Sequence, residues 1–299
     1  MAQIGIIGSG NVGANTAFFA AEKNITHVTL YDVKEGLSTG KALDMMEAAP
    51  LRGYQYRLSG TDKVEEVLEA DVVIVAAGEI REPGMKREDL YEKNKPIVDD
   101  VAAHLSGYGG VVIVATEPVD VFTHALVASG LLWQRVVGVG GLLDSSRLRV
   151  LIARELKVAQ EDVQATVIGR HSHEMIALPA YCSVAGVPVT KLMSEGRFNE
   201  LVRQTVDAGD HIVSLAKRSN SYYGPAAAAA DIAEAVVRGT NRILPVSFEL
   251  SGQYGVSGVA LSLPALIGSA GVERVLEPQL TDGEKVRFTQ SAESLKAYV

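Results

Sequence analysis

The stretch I-G-I-I-G-S-G-N-V-G at residues 4–13 constrains the fold of this chain more than any other stretch. Its apolar first part is typical of a parallel strand that helices cover on both faces. Gly8, Gly10 and Gly13 follow in the spacing G-x-G-x-x-G, and an alanine-rich segment of helical composition comes next. In such turns the first glycine permits the tight bend, the second admits a pyrophosphate, and the third lets helix and strand pack closely. A strand, a phosphate-binding turn and a helix are therefore predicted.

Asp32 supports a ligand-binding interpretation of this glycine turn, because it follows a second predicted strand at residues 27–31. An acidic residue about 20 positions after the glycines accepts hydrogen bonds from the hydroxyls of an adenosine ribose, and its charge repels a 2′-phosphate. We therefore predict a site for NAD rather than NADP. The alternative is that Asp32 only caps the turn before Glu35.

The composition limits the classes of partner. The 299 residues carry a formal net charge of −8, and this acidic balance argues against nucleic acid as the main partner. Cys182 is the only cysteine, so no disulfide can form within the chain, a reducing compartment fits, and a buried structural thiol is predicted. Neither a secretory signal nor an apolar run long enough for a membrane helix is present. We expect a cytoplasmic protein with no membrane partner.

Strands and helices alternate through the first half of the chain. After Asp32 we predict a helix at 35–49 that Pro50 and Gly53 end, a strand at 54–59, a helix at 64–69, and strands at 71–77 and 111–115. This alternation is typical of an α/β protein with a doubly wound parallel sheet, the Rossmann arrangement. Ligands of such sheets bind at the carboxyl ends of the strands.

The second half has a less regular pattern, and we place the domain boundary where the pattern changes. The expected domains are an NAD-binding domain at 1–141 and an α+β substrate domain at 142–299. The predicted elements are helices at 144–156, around 202–216 and from 226, strands at 163–168, 243–250 and 258–263, and a last helix that a Thr281–Glu284 capping box starts.

Residues 79–89, with the sequence E-I-R-E-P-G-M-K-R-E-D, are the most charged stretch of the chain. Pro83-Gly84 is typical of a turn, so we predict an exposed loop that continues into a helix. A charged stretch is usually a solvated surface. Arg81 and Arg87 therefore need support from elsewhere before they count as site residues.

Several segments taken together supply that support. They are G-S-G-N-V-G at 8–13, R-E-P-G-M-K-R-E-D-L at 81–90, Asn94, P-V-D at 118–120, L-D-S-S-R at 143–147 and V-I-G-R-H-S at 167–172. As a set, in this order, they resemble the lactate and malate dehydrogenase family, and most closely its tetrameric, lactate-dehydrogenase-like malate dehydrogenase branch. The resemblance implies hydride transfer between NAD and a small 2-hydroxy acid.

The resemblance also implies a role for each polar residue. His171 exchanges the proton of the substrate hydroxyl, as an imidazole that titrates near neutral pH can, and Asp144 holds its ring. The alternative for Asp144 is a helix N-cap before Ser145. Arg147 binds one substrate carboxylate and Arg87 polarises the carbonyl oxygen. Arg81 stands at the position where an arginine matches the second carboxylate of oxaloacetate, so malate is the expected substrate, and the 79–89 loop is expected to close over it.

The expected NAD-binding residues lie in the glycine turn and at the ends of neighbouring strands. They are Gly8, Ser9, Gly10, Asn11, Val12, Gly13, Asp32, Asn94, Ala115 and Thr116. No metal site is expected. His173 lies two residues from His171, but no further cluster of Cys or His completes a zinc site.

Glu117 departs from the family pattern, in which an asparagine at this position contacts both the substrate and the nicotinamide ribose. An ionised carboxylate beside a dianionic substrate weakens binding. Three interpretations stay open: Glu117 turns toward Arg87 or Arg170, is protonated in the complex, or marks an enzyme with weakened or shifted activity. A compensating pair of Glu117 and Arg170 is our preferred hypothesis.

Other functions remain possible at this point. The chain could act on lactate or another 2-hydroxy acid, or it could be a catalytically idle NAD-binding protein whose oligomer or partner surface matters. The family resemblance suggests a homo-oligomer, a tetramer or a dimer. Tyr222 and Tyr223 resemble the segment at the far wall of the substrate pocket, but we assign them to packing.

Overall fold

The computed structural model describes residues 2–55, 57–80, 85, 87–216 and 221–298, apart from the side chains of Arg87 and Glu88. The first half alternates strands and helices as expected. Its elements are β1 Gln3–Ile7, α1 Asn11–Glu22, β2 His27–Tyr31, α2 Leu37–Arg52, β3 Leu58–Thr61, α3 Val64–Leu68, β4 Val72–Val75, α4 Arg87–His104, β5 Val111–Val114, α5 Val119–Ala128 and β6 Val136–Gly138.

The second half mixes long helices with short and long antiparallel strands. Its elements are α6 Gly140–Leu156, β7 Val163–Gln164, β8 Val167–Ile168, β9 Ile176–Ala177, β10 Ser183–Val184, β11 Val187–Pro188, α7 Glu195–Ala216, α8 Tyr223–Arg238, β12 Arg242–Ser251, β13 Ser257–Gly268, β14 Gly271–Val275 and α9 Asp282–Leu295. The capping box of Thr281 and Glu284 is present at the start of α9, as predicted.

The main sheet has the strand order β14-β13-β12-β6-β5-β4-β1-β2-β3. Its parallel part, β3-β2-β1-β4-β5-β6, is the doubly wound Rossmann order with its switch point between β1 and β4. Side chains of the central strands alternate between two apolar cores: Val72 and Ile74 pack on one face of the sheet, and Val73 and Val75 on the other. The predicted fold class is confirmed.

The antiparallel strands of the second half extend the same sheet. β12 pairs with β6 through Ser247 and Gly138, and Gly138 is required there because a Cβ atom would lie 2.6 Å from both Thr123 and Val119. The predicted boundary after residue 141 falls in the first turn of α6 and stays a prediction. Within the described part of the chain, no helix is both long and apolar enough to cross a membrane.

Two element predictions were wrong in position. The third strand is β3 and not 54–59, because Tyr54 is buried against the helices, with its ring edge-on to Phe18 and its hydroxyl donating to the Met45 carbonyl. Pro50 does not end α2 but lies inside it. The helix ends before Gly53, whose φ of 75° gives the left-handed C-cap.

The predicted strand at 163–168 is two separate strands in different sheets. Val163 pairs with Val184, whereas Val167 pairs with Ala177. The Val167 N–H donates to Ser145 Oγ at 2.9 Å, a side-chain acceptor from α6 that binds the chain between the two pairings. The second strand leads directly to His171.

Candidate active site

The glycine turn combines two tightly packed glycines with one open position. Gly8 has a φ of +100°, and a Cβ atom there would lie 2.4 Å from the Ala77 nitrogen. A Cβ atom on Gly13 would lie 1.9 Å from the Gly8 carbonyl oxygen, whereas one on Gly10 would meet no atom within 4 Å. Gly13 therefore lets α1 pack closely on β1, Gly8 lets the turn approach the backbone after β4, and Gly10 leaves space for a ligand at the N-terminus of α1.

Asp32 lies against this turn from the end of β2. Its Oδ2 atom accepts the Ser9 N–H at 2.8 Å, and its Oδ1 atom accepts the Lys34 N–H at 3.1 Å. The carboxylate therefore caps its own turn and also contacts the glycine turn, while its predicted hydrogen bonds to an adenosine ribose stay a prediction. Ser38, which the sequence prediction missed, contacts Ser9 through their hydroxyl oxygens at 2.8 Å.

The Asn94 side chain connects the segments that follow β4 and β5. Its Oδ1 atom accepts the Glu79 N–H at 2.7 Å, and its amide donates to the Glu117 carbonyl at 2.8 Å. The side chain is almost completely buried. Asn94 thus fixes the backbone on both sides of the β4 and β5 ends, and its predicted contact with NAD stays a prediction.

His171 is buried at the end of the segment after β8 and is held through its ring. Nδ1 lies 2.8 Å from Asp144 Oδ2, and the two side chains are only 4% and 2% exposed. Asp144 Oδ1 is 3.6 Å from Arg147 Nη1. The predicted trio is thus brought together. Asp144 is not an N-cap, because α6 begins four residues earlier, at Gly140.

A second buried carboxylate, Asp120 on α5, holds the backbone of the same histidine. Its Oδ2 atom accepts the His171 N–H at 2.6 Å, and its Oδ1 atom accepts the Ser247 hydroxyl at 2.6 Å. Burial raises the pKa of Asp120, while both hydrogen bonds oppose the rise. The sequence prediction missed this role. Its one signal was an acidic residue inside the apolar stretch V-D-V-F.

Glu117 stands on the other side of the His171 ring. Its Oε1 atom is 3.6 Å from Nε2, which is an ion-pair distance and too long for a hydrogen bond. Burial by itself lowers the pKa of His171, but Asp144 and then Glu117 outweigh burial and raise it to about 9. The carboxylate thus favours the protonated ring.

The preferred Glu117–Arg170 pair was wrong. The Arg170 guanidinium donates to Glu174 at 3.1 Å and to Ser294 at 2.9 Å, and it lies over the Tyr298 ring. Among the described ion pairs, none joins it to Glu117. The backbone determines this position: the Arg170 N–H donates to Ser291 of α9, and the side chain lies beside the same helix.

A cavity joins the glycine turn to His171. Its walls come from the ends of β1, β4 and β5 and from α6, α7 and the start of α8. Among its lining residues are Gly10, Asn11, Val12, Gly78, Glu79, Ala115, Thr116, Glu117, Arg147, His171, Ser221 and Tyr222. Half of the residues predicted from the sequence for cofactor and substrate therefore line one space.

The remaining predictions have separate outcomes. Arg81 lies outside the described residues, as does the side chain of Arg87. Arg147 reaches Ser221 at 3.4 Å, and Tyr222 lines the cavity with its ring 4.4 Å from that of Tyr223. No group of His, Cys, Asp and Glu suited to a metal occurs in the described residues. Cys182 is buried, as predicted.

Comparison with known proteins decides the family. Residues 2–138 match the family model described as lactate/malate dehydrogenase, NAD binding domain, and residues 142–299 match that of the lactate/malate dehydrogenase alpha/beta C-terminal domain. The chain belongs to the lactate/malate dehydrogenase family. Both matches together cover nearly the whole chain, so the predicted family is confirmed.

Similar proteins include both enzymes of the family name. A malate dehydrogenase of Methanosarcina barkeri is 40% identical over 99% of this chain and 97% of its own. The crystal structure of Cryptosporidium parvum malate dehydrogenase has a TM-score of 0.96 at 34% identity, covering 100% of this chain and 98% of its own. A lactate dehydrogenase from the same organism, complexed with lactic acid and nicotinamide adenine dinucleotide, has a TM-score of 0.94 at 34% identity, covering 99% and 96%.

The residues at the glycine turn fit the NAD that the family implies. The open space at Gly10 and the N-terminus of α1 suit a pyrophosphate, and the neighbouring Asp32 carboxylate suits ribose hydroxyls. The cavity from this turn to His171 suits a nicotinamide placed between them.

Proposed function

We propose that the chain is an NAD-dependent malate dehydrogenase that interconverts malate and oxaloacetate. The observation that carries the proposal is the buried His171–Asp144 pair at one end of the cavity whose other end is the glycine turn. The names of the relatives favour malate over lactate, and so does the arginine at position 81.

His171 exchanges the proton. NAD, when bound, accepts or supplies a hydride at the carbon that carries the reacting oxygen. In the reducing direction the Nε2–H of His171 gives its proton to the carbonyl oxygen, and in the oxidising direction neutral Nε2 removes the hydroxyl proton. Asp144 accepts the Nδ1–H, which fixes the ring orientation and stabilises its charged form.

Arginines bind the substrate in this proposal. Arg147 lines the cavity close to Asp144, where its guanidinium can bind a carboxylate through two hydrogen bonds. Arg87 and Arg81 have their roles from the sequence resemblance alone: Arg87 polarises the carbonyl oxygen and Arg81 binds the second carboxylate. The proposal also includes a cytoplasmic homo-oligomer, a tetramer or a dimer.

Turnover of two keto acids side by side tests the proposal. NADH oxidation is measured with oxaloacetate and with pyruvate, for the native chain and for Arg81→Gln. We expect the native chain to prefer oxaloacetate, and the variant to shift toward pyruvate because the partner of the second carboxylate is lost. Preference for pyruvate in the native chain would instead identify a lactate dehydrogenase. Tight NADH binding without turnover of either acid would identify the idle homologue that Glu117 makes conceivable.

A further inference from the structure

Glu117 occupies a position from which it acts on the reacting nitrogen of His171. Asn94 fixes its backbone through the carbonyl at 2.8 Å. Its side chain is 40% exposed and lines the cavity, and its Oε1 atom is 3.6 Å from Nε2. The carboxylate is therefore in the same space that a substrate enters.

The charges around His171 place one carboxylate at each ring nitrogen. Asp144 is at Nδ1, and Glu117 is at Nε2. With Asp144 alone, a neutral ring donates its Nδ1–H and keeps a lone pair on Nε2, the form that a base requires. A carboxylate facing Nε2 repels that lone pair and attracts an Nε2–H.

Other charged groups near the ring in the described part of the chain have partners of their own. Arg147 is 3.6 Å from Asp144 Oδ1, Asp120 binds the backbone N–H, and the Arg170 side chain is directed to Glu174. The side chain of Arg87 lies outside the described residues. Among the charged groups named here, Glu117 is the one that the structure places at Nε2.

We propose that Glu117 keeps the proton on Nε2 of His171, so that at neutral pH this enzyme is set for oxaloacetate reduction, and malate oxidation needs alkaline pH. The proposal rests on the proposed function for its substrates. In reduction the stored proton goes to the carbonyl oxygen while a hydride from NADH reaches the carbonyl carbon, leaving neutral His171, malate and NAD. In oxidation His171 must first lose its proton to solvent.

The distance between Glu117 Oε1 and His171 Nε2 explains how the proton remains available for transfer to the substrate. At 3.6 Å Glu117 does not hold the Nε2–H in a hydrogen bond, so the substrate oxygen can approach the proton more closely than Glu117 does. Exclusion of water on substrate binding strengthens the interaction between the two charges. The same carboxylate repels a dianionic substrate, which adds a cost in substrate affinity.

Titration of His171 by NMR, without substrate, tests the proposal directly. The native chain, with pKa raised to about 9, is compared with Glu117→Gln, which keeps the size of the side chain and removes its charge. The pKa of His171 should fall by about one unit or more, as loss of a nearby opposite charge requires. Glu117→Asp should give an intermediate value. An unchanged pKa in Glu117→Gln would overturn the proposal.

Asp210→Asn is a matched control, because Asp210 also lies 3.6 Å from a histidine, His173, but on the surface. It removes the same charge and should leave the His171 titration where it is in the native chain. A shift as large as that of Glu117→Gln would mean that net charge, and not the local contact with Glu117, determines the pKa of His171. This would also overturn the proposal.

The pH dependence of kcat/KM is the second readout. With a pKa of about 9, malate oxidation at pH 7 should be about a hundredfold below its alkaline plateau, since each unit is tenfold. Glu117→Gln should raise oxidation at pH 7 about tenfold or more and move the alkaline loss of oxaloacetate reduction to lower pH. If the NMR shift occurs but neither acid turns over, the proposed function fails while the role of Glu117 at His171 stands.

Discussion

The glycine turn and the His171 site are built in opposite ways. The turn comes from one contiguous stretch, residues 8–13, with Asp32 added from the next strand. The His171 site combines side chains from the end of β5, from α5, from α6 and from the segment after β8. The glycine turn is a local site, and it depends on the space around its backbone. The His171 site is an assembled site, and it depends on which charged side chains the fold brings together.

The largest effect is expected at the assembled site, from Asp144→Asn. The amide cannot stabilise the charged ring, and it can hold the ring in the wrong tautomer, so kcat should fall by about 10³ to 10⁴. NADH affinity, measured by fluorescence titration, should be close to that of the native chain because the glycine turn is untouched. Asp162→Asn, at an exposed aspartate, is the control. A fall in kcat of less than tenfold would refute the role of Asp144.

An intermediate effect should separate two glycines of the local site. Gly13→Ala places a Cβ atom 1.9 Å from the Gly8 carbonyl oxygen, so the free energy of unfolding should drop by at least about 2 kcal/mol. Gly10→Ala meets no atom within 4 Å, so its stability should be unchanged or slightly higher, while NADH binding weakens about tenfold because the methyl group fills the pyrophosphate space.

Thermal unfolding without cofactor, together with NADH titration, checks this pair. If Gly10→Ala bound NADH as tightly as the native chain, the open space beside Gly10 would not be the pyrophosphate site. If both variants lost stability equally, the tighter packing around Gly13 than around Gly10 would not explain their effects on stability.

The smallest effect is expected from Asp32→Asn. The amide oxygen still accepts one backbone N–H, but the charge that repels a 2′-phosphate is gone, so the preference for NAD over NADP should fall about tenfold. Asp62→Asn, at a carboxylate that accepts the Gly36 N–H at 3.0 Å nearby, controls for surface charge. Steady-state rates with each cofactor provide the measurement, and an unchanged ratio would leave Asp32 with a capping role only.

The same contrast explains what the sequence could predict. β2 matches its predicted span, and the capping box of α9 was predicted because it depends on neighbours in sequence. The parallel sheet was predicted from the alternation of strands and helices along the chain. The third strand was misplaced because the Tyr54 ring packs edge-on against Phe18 of α1, which is far from it in sequence. Asp120 was missed for the same reason, since its partners His171 and Ser247 are 51 and 127 residues away.

Charge pairing was the least predictable property. The sequence suggested that Glu117 and Arg170 form one pair. In the structure, the position of the backbone decides which partner each of these two side chains reaches. The position of Arg170 beside α9 gives it Glu174 and Ser294, and the end of β5 gives Glu117 the histidine instead. Opposite charges such as Glu117 and Arg170, which follow strands at the same predicted site, therefore do not necessarily form a contact.

The pairing of β12 with β6 joins both halves of the molecule into a single sheet. Ser247 on β12 also donates to Asp120, the residue that holds the His171 backbone. The two halves are consequently continuous at this strand pair, and the same strand β12 that joins them also supports the backbone of His171 through Asp120. One sheet therefore extends from the glycine turn after β1 to Ser262 on β13, which bonds the backbone of Gly169 two residues before His171.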